Sequence, residues 1–589
     1  MNNSIPIFYA CDDNFAELAV VSLTSMLENA DQTRQYHIYF LNTGLSDAHR
    51  QALLSMQAAN VTVSFPDVTE QLEAIREKLP TRDYFTSTTY YRLFIPELFP
   101  QYDKAVYLDS DTVVVGDISQ LYDHDLKDNY LGAVKDQVII QEKVFGDYAE
   151  TVLGIDRNAY FSAGILLLNC RAFREKQLLG RFVNLLNTYN FVVAQDQDYL
   201  NVLCKDRVLW LEPGWNTQIF GKIICPEEEM KIVHYIMASK PWHCRDCRLK
   251  GYFWQYAEKT SVYEDICREL ENYTDEQRQR DAAGGERLVQ TALAEISRPD
   301  HYMARVRMAQ APDRVAVVEK IDELERLGIF DMDVEQDPPT KVLTPDQIEY
   351  VRKSLSATIK TQTAFYAAKK FVKYLLKNNQ LIIKDIVGVE NFANLDSGAI
   401  ITCNHFNAFD SFAIHLAYMA SGHKARRFYR VIREGNYTNF PGFYGFLMRN
   451  CDTLPLSSNP NTMKKFVRAV NELLQAGHFI LFYPEQSMWW NYRKPKPLKD
   501  SAFSFAARNM VPVLPCFITM KDSGILGPDG FFVQEYTVHV GTPIYPREGL
   551  TARKNAEQMK AENFEQWKAI YEGEYGIPLQ YKTENAEAI

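Results

Sequence analysis

Two short stretches hold residue types whose spacing suits chemistry. YLDSDTVVV, residues 107–115, sets Asp109 and Asp111 one residue apart behind an apolar run. A carboxylate at the end of a buried strand is costly unless positive charge meets it. Two of them are well placed to hold a divalent metal through hard oxygen ligands, and such a metal engages a diphosphate as well. The competing use of such a pair is to cap or turn the chain. TCNHFNAFDSF, residues 402–412, separates His405 from Asp410 by four residues behind the apolar run ITC. If the chain turns into a helix there, the carboxylate reaches back to the imidazole and fixes its tautomer. The other ring nitrogen is then left to take a proton from an attacking hydroxyl. A purely structural His–Asp pair has the same spacing.

The elements that must position these groups follow from the pattern of the chain. At 589 residues it is too long for a single hydrophobic core. With 46% hydrophobic and 24% charged residues, extensive disorder is excluded. Up to about residue 241, apolar runs (IPIFYA, YHIYFL, VTVSF, KAVYL, GILLLN, MKIVHYI) alternate with helical segments, which predicts a mostly parallel sheet covered by helices. Residues 259–343 are rich in Glu, Arg, Ala and Gln and predict a helical connector punctuated at Gly284 and Gly285. Pro338, Pro339 and Pro345 then mark a boundary. A second α/β pattern (GAIITCN, HFILFYP, VPVLPCFITM) occupies residues 344–589.

The net charge of -11 hides an asymmetry, since residues 341–589 carry 30 Lys+Arg against 22 Asp+Glu. Such a basic field attracts phosphates, coenzyme A or an anionic bilayer; a merely solvated basic face is the bland alternative, and no nucleic-acid partner is expected. Ten cysteines without a regular framework fit reduced thiols in the cytoplasm. Cys244 and Cys247 have CxxC spacing near His234 and His243, but no second CxxC completes a zinc site. The opening residues lack a signal-peptide pattern, and no stretch approaches 18 apolar residues. In TAFYAAKKFVKYLLKNN, Phe365, Ala368, Phe371, Val372, Leu375 and Leu376 recur at helical spacing beside Lys369, Lys370, Lys373 and Lys377. That pattern suits either a helix lying in the headgroup region of an anionic leaflet or one packed on its own domain.

Residues 5–242 resemble the retaining nucleotide-sugar glycosyltransferases of family 8, the glycogenin and lipopolysaccharide galactosyltransferase group. FYACDDNFA, TTYYRLFIPEL, YLDSD, YFSAGILLLN, QDQDYLNVL and HYIMASKPW occur in the family's order. The resemblance implies a GT-A type, Rossmann-like domain over residues 1–258 that binds a UDP-sugar. It implies donor contacts from Ala10, Asp12, Asn14, Arg92, Ser110, Ser162 and Lys240, and Mn2+ (or Mg2+) held by Asp109, Asp111 and His234. It also places Asp196 and Gln197 in the catalytic set. Two positions depart from the family: Ser162 stands where Asn is usual, and Met237 stands where the closing loop has Gly.

The second half resembles the glycerolipid acyltransferases with a His-x4-Asp motif, the lysophosphatidate acyltransferase superfamily. FYPEQS is similar to that superfamily's third block, VPVLPCF to the following block, and REGNYTNFPGFYGFLMRNCDTLPL, around Arg433 and Asp452, stands in the place of the second. The resemblance implies that His405 activates an acceptor hydroxyl, supported by Asp410, against an acyl thioester of coenzyme A or acyl carrier protein. Glu485 is expected to orient the acceptor. Here Gln486 replaces Gly, and Met488 and Thr453 replace two arginines, which removes the forked donors that suit phosphate. Arg493, Lys494 and Lys496 lie close in sequence. A lipid or glycan acceptor other than simple lysophosphatidate is expected.

The expectation is a cytoplasmic protein, peripheral on the inner face of the membrane, that joins two catalysts acting in glycolipid or cell-envelope glycan synthesis. The alternative is an active glycosyltransferase whose second domain only docks it to membrane or lipid acceptor.

Overall fold

Strand β1 (Ser4–Ala10) sends Ile5, Ile7 and Tyr9 into one apolar cluster and Phe8 and Ala10 into another. This is the period-two alternation of a strand buried on both faces. The structure, a computed structural model, describes residues 4–73, 87–335, 339–423 and 425–583. Pro338, part of the expected boundary, lies outside the described residues. The chain divides into two compact units, Met1–Val306 and Arg307–Ile589.

In the first unit β1 is followed by β2 (Gln35–Leu41), β3 (Val61–Ser64), β4 (Ala105–Leu108), β5 (Thr112–Val114), β6 (Leu131–Ala133), β7 (Ile165–Leu168), β8 (Val208–Trp210), β9 (Thr217–Gln218) and β10 (Ile232–His234). Seven of these form a sheet in the order β3-β2-β1-β4-β7-β6-β8. The strands β3, β2, β1 and β4 run parallel, while β7 is antiparallel to both neighbours. A small sheet, β5-β10-β9, sits beside the continuation of β4. Chain order reverses between β1 and β4, the kind of crevice where open α/β sheets bind ligands.

The second unit contains β11 (Ile382–Val387), β12 (Ala399–Thr402), β13 (Phe428–Ile432), β14 (Thr453–Pro455), β15 (Phe479–Phe482), β16 (Val513–Leu526) and β17 (Phe532–Val540). They form one sheet in the order β11-β17-β16-β12-β15-β13-β14, in which only β16 and β17 pair antiparallel. Ile400 faces one apolar cluster, and Ala399 and Ile401 the other, so the central strand is again buried on both sides.

One helical expectation needs correction, and one open alternative is narrowed. One helix, Asp275–Ser297, runs unbroken through Gly284 and Gly285 behind a Thr274 capping box. Each glycine costs about 1 kcal/mol in a helix, but Leu288 and Ala292 are buried against the sheet's second cluster, and that burial outweighs it. In the helix Leu355–Lys377, Leu375 is buried and Phe371, Val372 and Leu376 pack on the unit's own core. The apolar row legible in the sequence is therefore largely spent inside the unit. A different set, Leu355, Ile359, Tyr366 and Tyr374, is exposed.

Met237 and Gln486, which stand where the two resemblances lead one to expect glycine, have a glycine-like backbone. Met237 has φ +58° and Gln486 φ +67°, in the left-handed region that costs an L-residue about 1–2 kcal/mol. Met237 recovers part of that cost by packing on an apolar cluster, whereas the Gln486 side chain is exposed. Gln486→Gly is expected to stabilise the second unit by about 0.5–1 kcal/mol, strain relief outweighing the added chain entropy of glycine. Gln486→Val is expected to destabilise it. Thermal unfolding of both variants beside the parent chain checks the pair.

Candidate active sites

The first site is assembled at the carboxyl ends of β1 and β4 and the end of β10. Asp109 follows β4, and one of its oxygens, Oδ1, is held from behind. The Tyr107 hydroxyl donates to it at 2.8 Å and Arg92 Nη2 at 3.1 Å. Arg92 is 4% exposed. It also donates to the Ala163 carbonyl, pairs through Nε with Asp196 Oδ2 at 3.2 Å, and lies 4.4 Å above the Tyr107 ring. Asp109 Oδ2 turns instead toward His234, 4.0 Å from its Nε2. Asp111 Oδ1 lies 3.2 Å from the same nitrogen, and Lys240 Nζ meets Asp111 Oδ2 at 2.5 Å while donating to the Tyr235 carbonyl at 2.6 Å.

One ligand atom from each of Asp109, Asp111 and His234 lies within 4.8 Å of the others. On the far side of the imidazole, Nδ1 is 3.0 Å from Asn216 Oδ1. When Nδ1 carries the proton, Nε2 is left as a lone-pair donor facing the carboxylates. Two carboxylates and a neutral imidazole make a donor set that fits Mn2+ or Mg2+. Charge balance points the same way, because Arg92 and Lys240 meet three carboxylates, Asp109, Asp111 and Asp196. Burial pushes the Asp109 carboxyl above its usual range, with Arg92 opposing and Asp111 adding to it. In Asp111 burial is outweighed by Lys240 and His234, which hold it low. Asp196, 2% exposed, is pushed up to about 6 by burial against the pull of Arg92.

The remaining expected residues are placed unevenly. Ser110 Oγ lies 3.5 Å from the Ala10 carbonyl, which brings the ends of β1 and β4 together. Asp12 accepts from the Asn14 amide at 3.0 Å in a turn after β1. Among the described residues no hydrogen bond or ion pair ties Asp12 or Asn14 to the carboxylate cluster. Gln197 accepts from the Ala163 amide at 2.8 Å and donates to Asp136 at 3.1 Å, so it braces the segment that carries buried Ser162. Cys244 and Cys247 are free thiols, and His243 pairs with Glu269 at 2.9 Å.

The second site lies at the carboxyl ends of the adjacent parallel strands β12 and β15. The helix Asp410–Ala420 begins with its own Asp410, whose Oδ2 meets His405 Nδ1 at 2.7 Å and whose Oδ1 accepts from the Tyr483 hydroxyl at 2.7 Å. The Tyr483 ring stacks on the imidazole, centroids 4.1 Å apart. Asp410 is 1% exposed, whereas the His405 side chain keeps 21% of its surface open. Glu485 is buried, and both its oxygens are taken by backbone amides, those of His405 at 3.0 Å and Lys496 at 2.8 Å. Burial raises its carboxyl pKa, with Lys496 opposing.

The basic residues near this block in sequence are committed elsewhere. Arg493 pairs with Asp522 at 3.1 Å and Lys494 with Glu325 at 2.6 Å. Lys496 is fully buried on Ser487, and burial lowers its pKa to about 8 despite Glu485. Arg433 pairs with Asp333 and Asp452 with Arg427.

Sequence reasoning missed Tyr107, Asn216, Tyr483 and Gly164. Tyr107, Tyr483 and Gly164 lie inside segments that suggested the sites, but Asn216 is brought in only by the pairing of β9 with β10. A Cβ at Gly164 would overlap His234 Cε1 and stand 2.8 Å from Asp109 Oδ2. Gly164→Ala is therefore expected to weaken Mn2+ binding by about 10–100-fold, the range for disturbed metal-ligand support, while the fold persists. Calorimetric Mn2+ titration with a circular-dichroism control checks it.

Two family models match separate parts of the chain. The glycosyl transferase family 8 model matches residues 6–246 and the acyltransferase model residues 385–519. A putative glycosyltransferase of Haemophilus influenzae is 27% identical over 252 residues, which cover 41% of this chain and 74% of the relative. The lipopolysaccharide 1,3-galactosyltransferase of Salmonella typhimurium is 27% identical over 249 residues, 40% of this chain and 72% of the relative. Among solved structures, the galactosyltransferase LgtC in complex with donor and acceptor sugar analogs is 27% identical. It covers 45% of this chain and all of its own, with a TM-score of 0.37. The chain is thus similar to glycosyl transferase family 8 over residues 6–246 and to the acyltransferases over residues 385–519.

Proposed function

We propose that the protein is a bifunctional transferase that moves a hexosyl group from a UDP-sugar with retention and an acyl group from a thioester to a hydroxyl. The observation that carries this reading is the presence of two complete constellations on one chain. These are Asp109, Asp111 and His234 within 4.8 Å, and His405 held by Asp410 at 2.7 Å.

In the first unit Asp109, Asp111 and His234 would hold Mn2+ or Mg2+, which when bound supplies Lewis-acid stabilisation of a departing nucleoside diphosphate. Lys240 adds positive charge beside it. Arg92 holds Asp109 and Asp196 in place, and Ala10, Asp12, Asn14, Ser110 and Ser162 line the donor side. Gln197 acts through the Ala163–Gly164 segment. In the second unit Asp410 keeps the proton of His405 on Nδ1, so Nε2 takes the proton of the acceptor hydroxyl. The hydroxyl oxygen bonds to the thioester carbonyl carbon. The carbon–sulfur bond then breaks, and the thiolate leaves with the proton returned by the imidazolium. Coenzyme A and acyl carrier protein both offer such thioesters. Glu485 serves as a positioning residue, since its oxygens fix the backbone of His405 rather than a substrate.

The acceptor is a lipid or glycan of the cell envelope, and the second unit works against the inner face of the membrane. The exposed Leu355, Ile359, Tyr366 and Tyr374, with Lys370 over the Tyr366 ring at 4.7 Å, suit an anionic leaflet. Phe443 and Tyr444, both about half exposed, extend that face through Phe371, each ring 5.6 Å from it. No helix among the described residues is long and apolar enough to cross a membrane.

Two assays on the full chain test the reading. With Mn2+ and a panel of UDP-sugars, UDP release is expected from the parent and to fall by at least about 100-fold in Asp111→Asn. Thiol release from acyl thioesters is expected to fall by about 100–10,000-fold in His405→Ala, with UDP release unchanged. Unchanged thiol release would leave the second unit a docking module.

A further inference from the structure

Residues 485–496 close around a buried ammonium. Lys496 is 0% exposed. Its Nζ donates to the Ser487 carbonyl at 2.6 Å and to the Ser487 hydroxyl at 2.9 Å, and stands 4.8 Å over the Trp489 ring. Those partners are themselves pinned, since the Ser487 hydroxyl donates to the Phe330 carbonyl and Trp489 Nε1 to the Met332 carbonyl, each at 2.9 Å.

An ammonium taken out of water is costly unless opposite charge and hydrogen bonds meet it. Ser487 and Trp489 supply two acceptors and a cation–π contact, and the opposing charge comes foremost from Glu485. The same two residues meet through the backbone. The Lys496 amide donates to Glu485 Oε1 at 2.8 Å, the His405 amide donates to Glu485 Oε2 at 3.0 Å, and the Trp489 amide donates to the His405 carbonyl at 3.2 Å. Both peptide groups flanking His405 are thus held by the loop that Lys496 fills. A carboxylate accepts from two amides at once. A protonated carboxyl has to aim its O–H at one of them, and that contact is lost.

We propose that Lys496 is a positioning residue of the acyl-transfer centre, its ammonium keeping Glu485 ionised so that both carboxylate oxygens stay on backbone amides and hold His405 in place. This rests on the acyl-transfer reading and deepens it. Burial pushes the Glu485 carboxyl up and lowers Lys496 to about 8. Lys496 therefore carries its charge below about pH 8, the range in which a buried Glu485 would otherwise take up a proton. The other titratable groups facing the pair are His405 and Cys403 after β12, Tyr581 near the end of the chain, Asp331 and Asp333 ahead of the boundary, and Arg433 after β13. Burial keeps Cys403 and Tyr581 neutral, while Asp331 pairs with Lys499 and Asp333 with Arg433.

The test follows thiol release by the full chain from palmitoyl-coenzyme A, with a total lipid extract as hydroxyl source, between about pH 6 and pH 9. Lys496→Met is expected to move the acid limb of kcat/KM upward by at least about one pH unit, tenfold in protonated fraction, with most of the parent rate regained at the alkaline end. Lys496→Gln, which keeps N–H donors without the charge, is expected to do the same and serves if the Met variant does not fold. In a Glu485→Gln background, where the side chain cannot titrate, Lys496→Met is expected to leave the profile unshifted. Infrared spectra at the acid end are expected to show a protonated-carboxyl band in Lys496→Met that Glu485→Gln removes. A loss of rate equal at every pH, or an unshifted profile without the band, overturns the proposal. Thiol release unchanged in His405→Ala would overturn the acyl-transfer reading and the positioning role with it, and the infrared band would then report only the Lys496–Glu485 contact.

Discussion

A carboxylate at the carboxyl end of a buried strand must be met by positive charge or by N–H groups, or it forfeits several kcal/mol. Both sites are built around that constraint, and they solve it differently. In the first, Asp109, Asp111 and Asp196 are met mainly by cations, Arg92 and Lys240, with an imidazole beside them. In the second, Glu485 is met by two backbone amides and Asp410 by an imidazole and a phenol. The first arrangement leaves net negative charge among hard oxygen atoms, which suits a metal. The second uses up the oxygens and leaves a ring nitrogen of His405 for a proton.

Each solution sits on a strand pair whose register is fixed by two-sided burial. A slip of one residue would send Ile401 and Leu481 to the opposite face and would carry His405 away from Glu485, whose contact depends on β12 and β15 running parallel in register. The core therefore does more than supply stability, since it sets the spacing at which the polar groups meet.

Much of this was legible in the residues. The alternating runs of β1 and β4, the Asp-Ser-Asp step and the His-x4-Asp step all lie within short windows where local pattern and function coincide. What was not legible depended on contacts across the chain. Asn216 reaches His234 only through the pairing of two short strands. Gly284 and Gly285 look like breakers, yet the helix continues because its apolar side has a surface to bury against. Phe371 and Leu375 have the spacing of either a membrane face or a core face, and only the position of the sheet decides between them. Met237 and Gln486 carry the opposite lesson. Neither is glycine, yet both hold a left-handed backbone, so the geometry of these turns overrides the preference of the side chain.

The central claim is that Asp109, Asp111 and His234 form a metal-binding centre poised at the β1–β4 crevice. Anomalous diffraction from crystals soaked in Mn2+ with UDP tests it most directly. The account predicts one strong peak at bonding distance from a carboxylate oxygen of each aspartate and from His234 Nε2. Well-ordered density without that peak, with Lys240 still seated on Asp111, would contradict it.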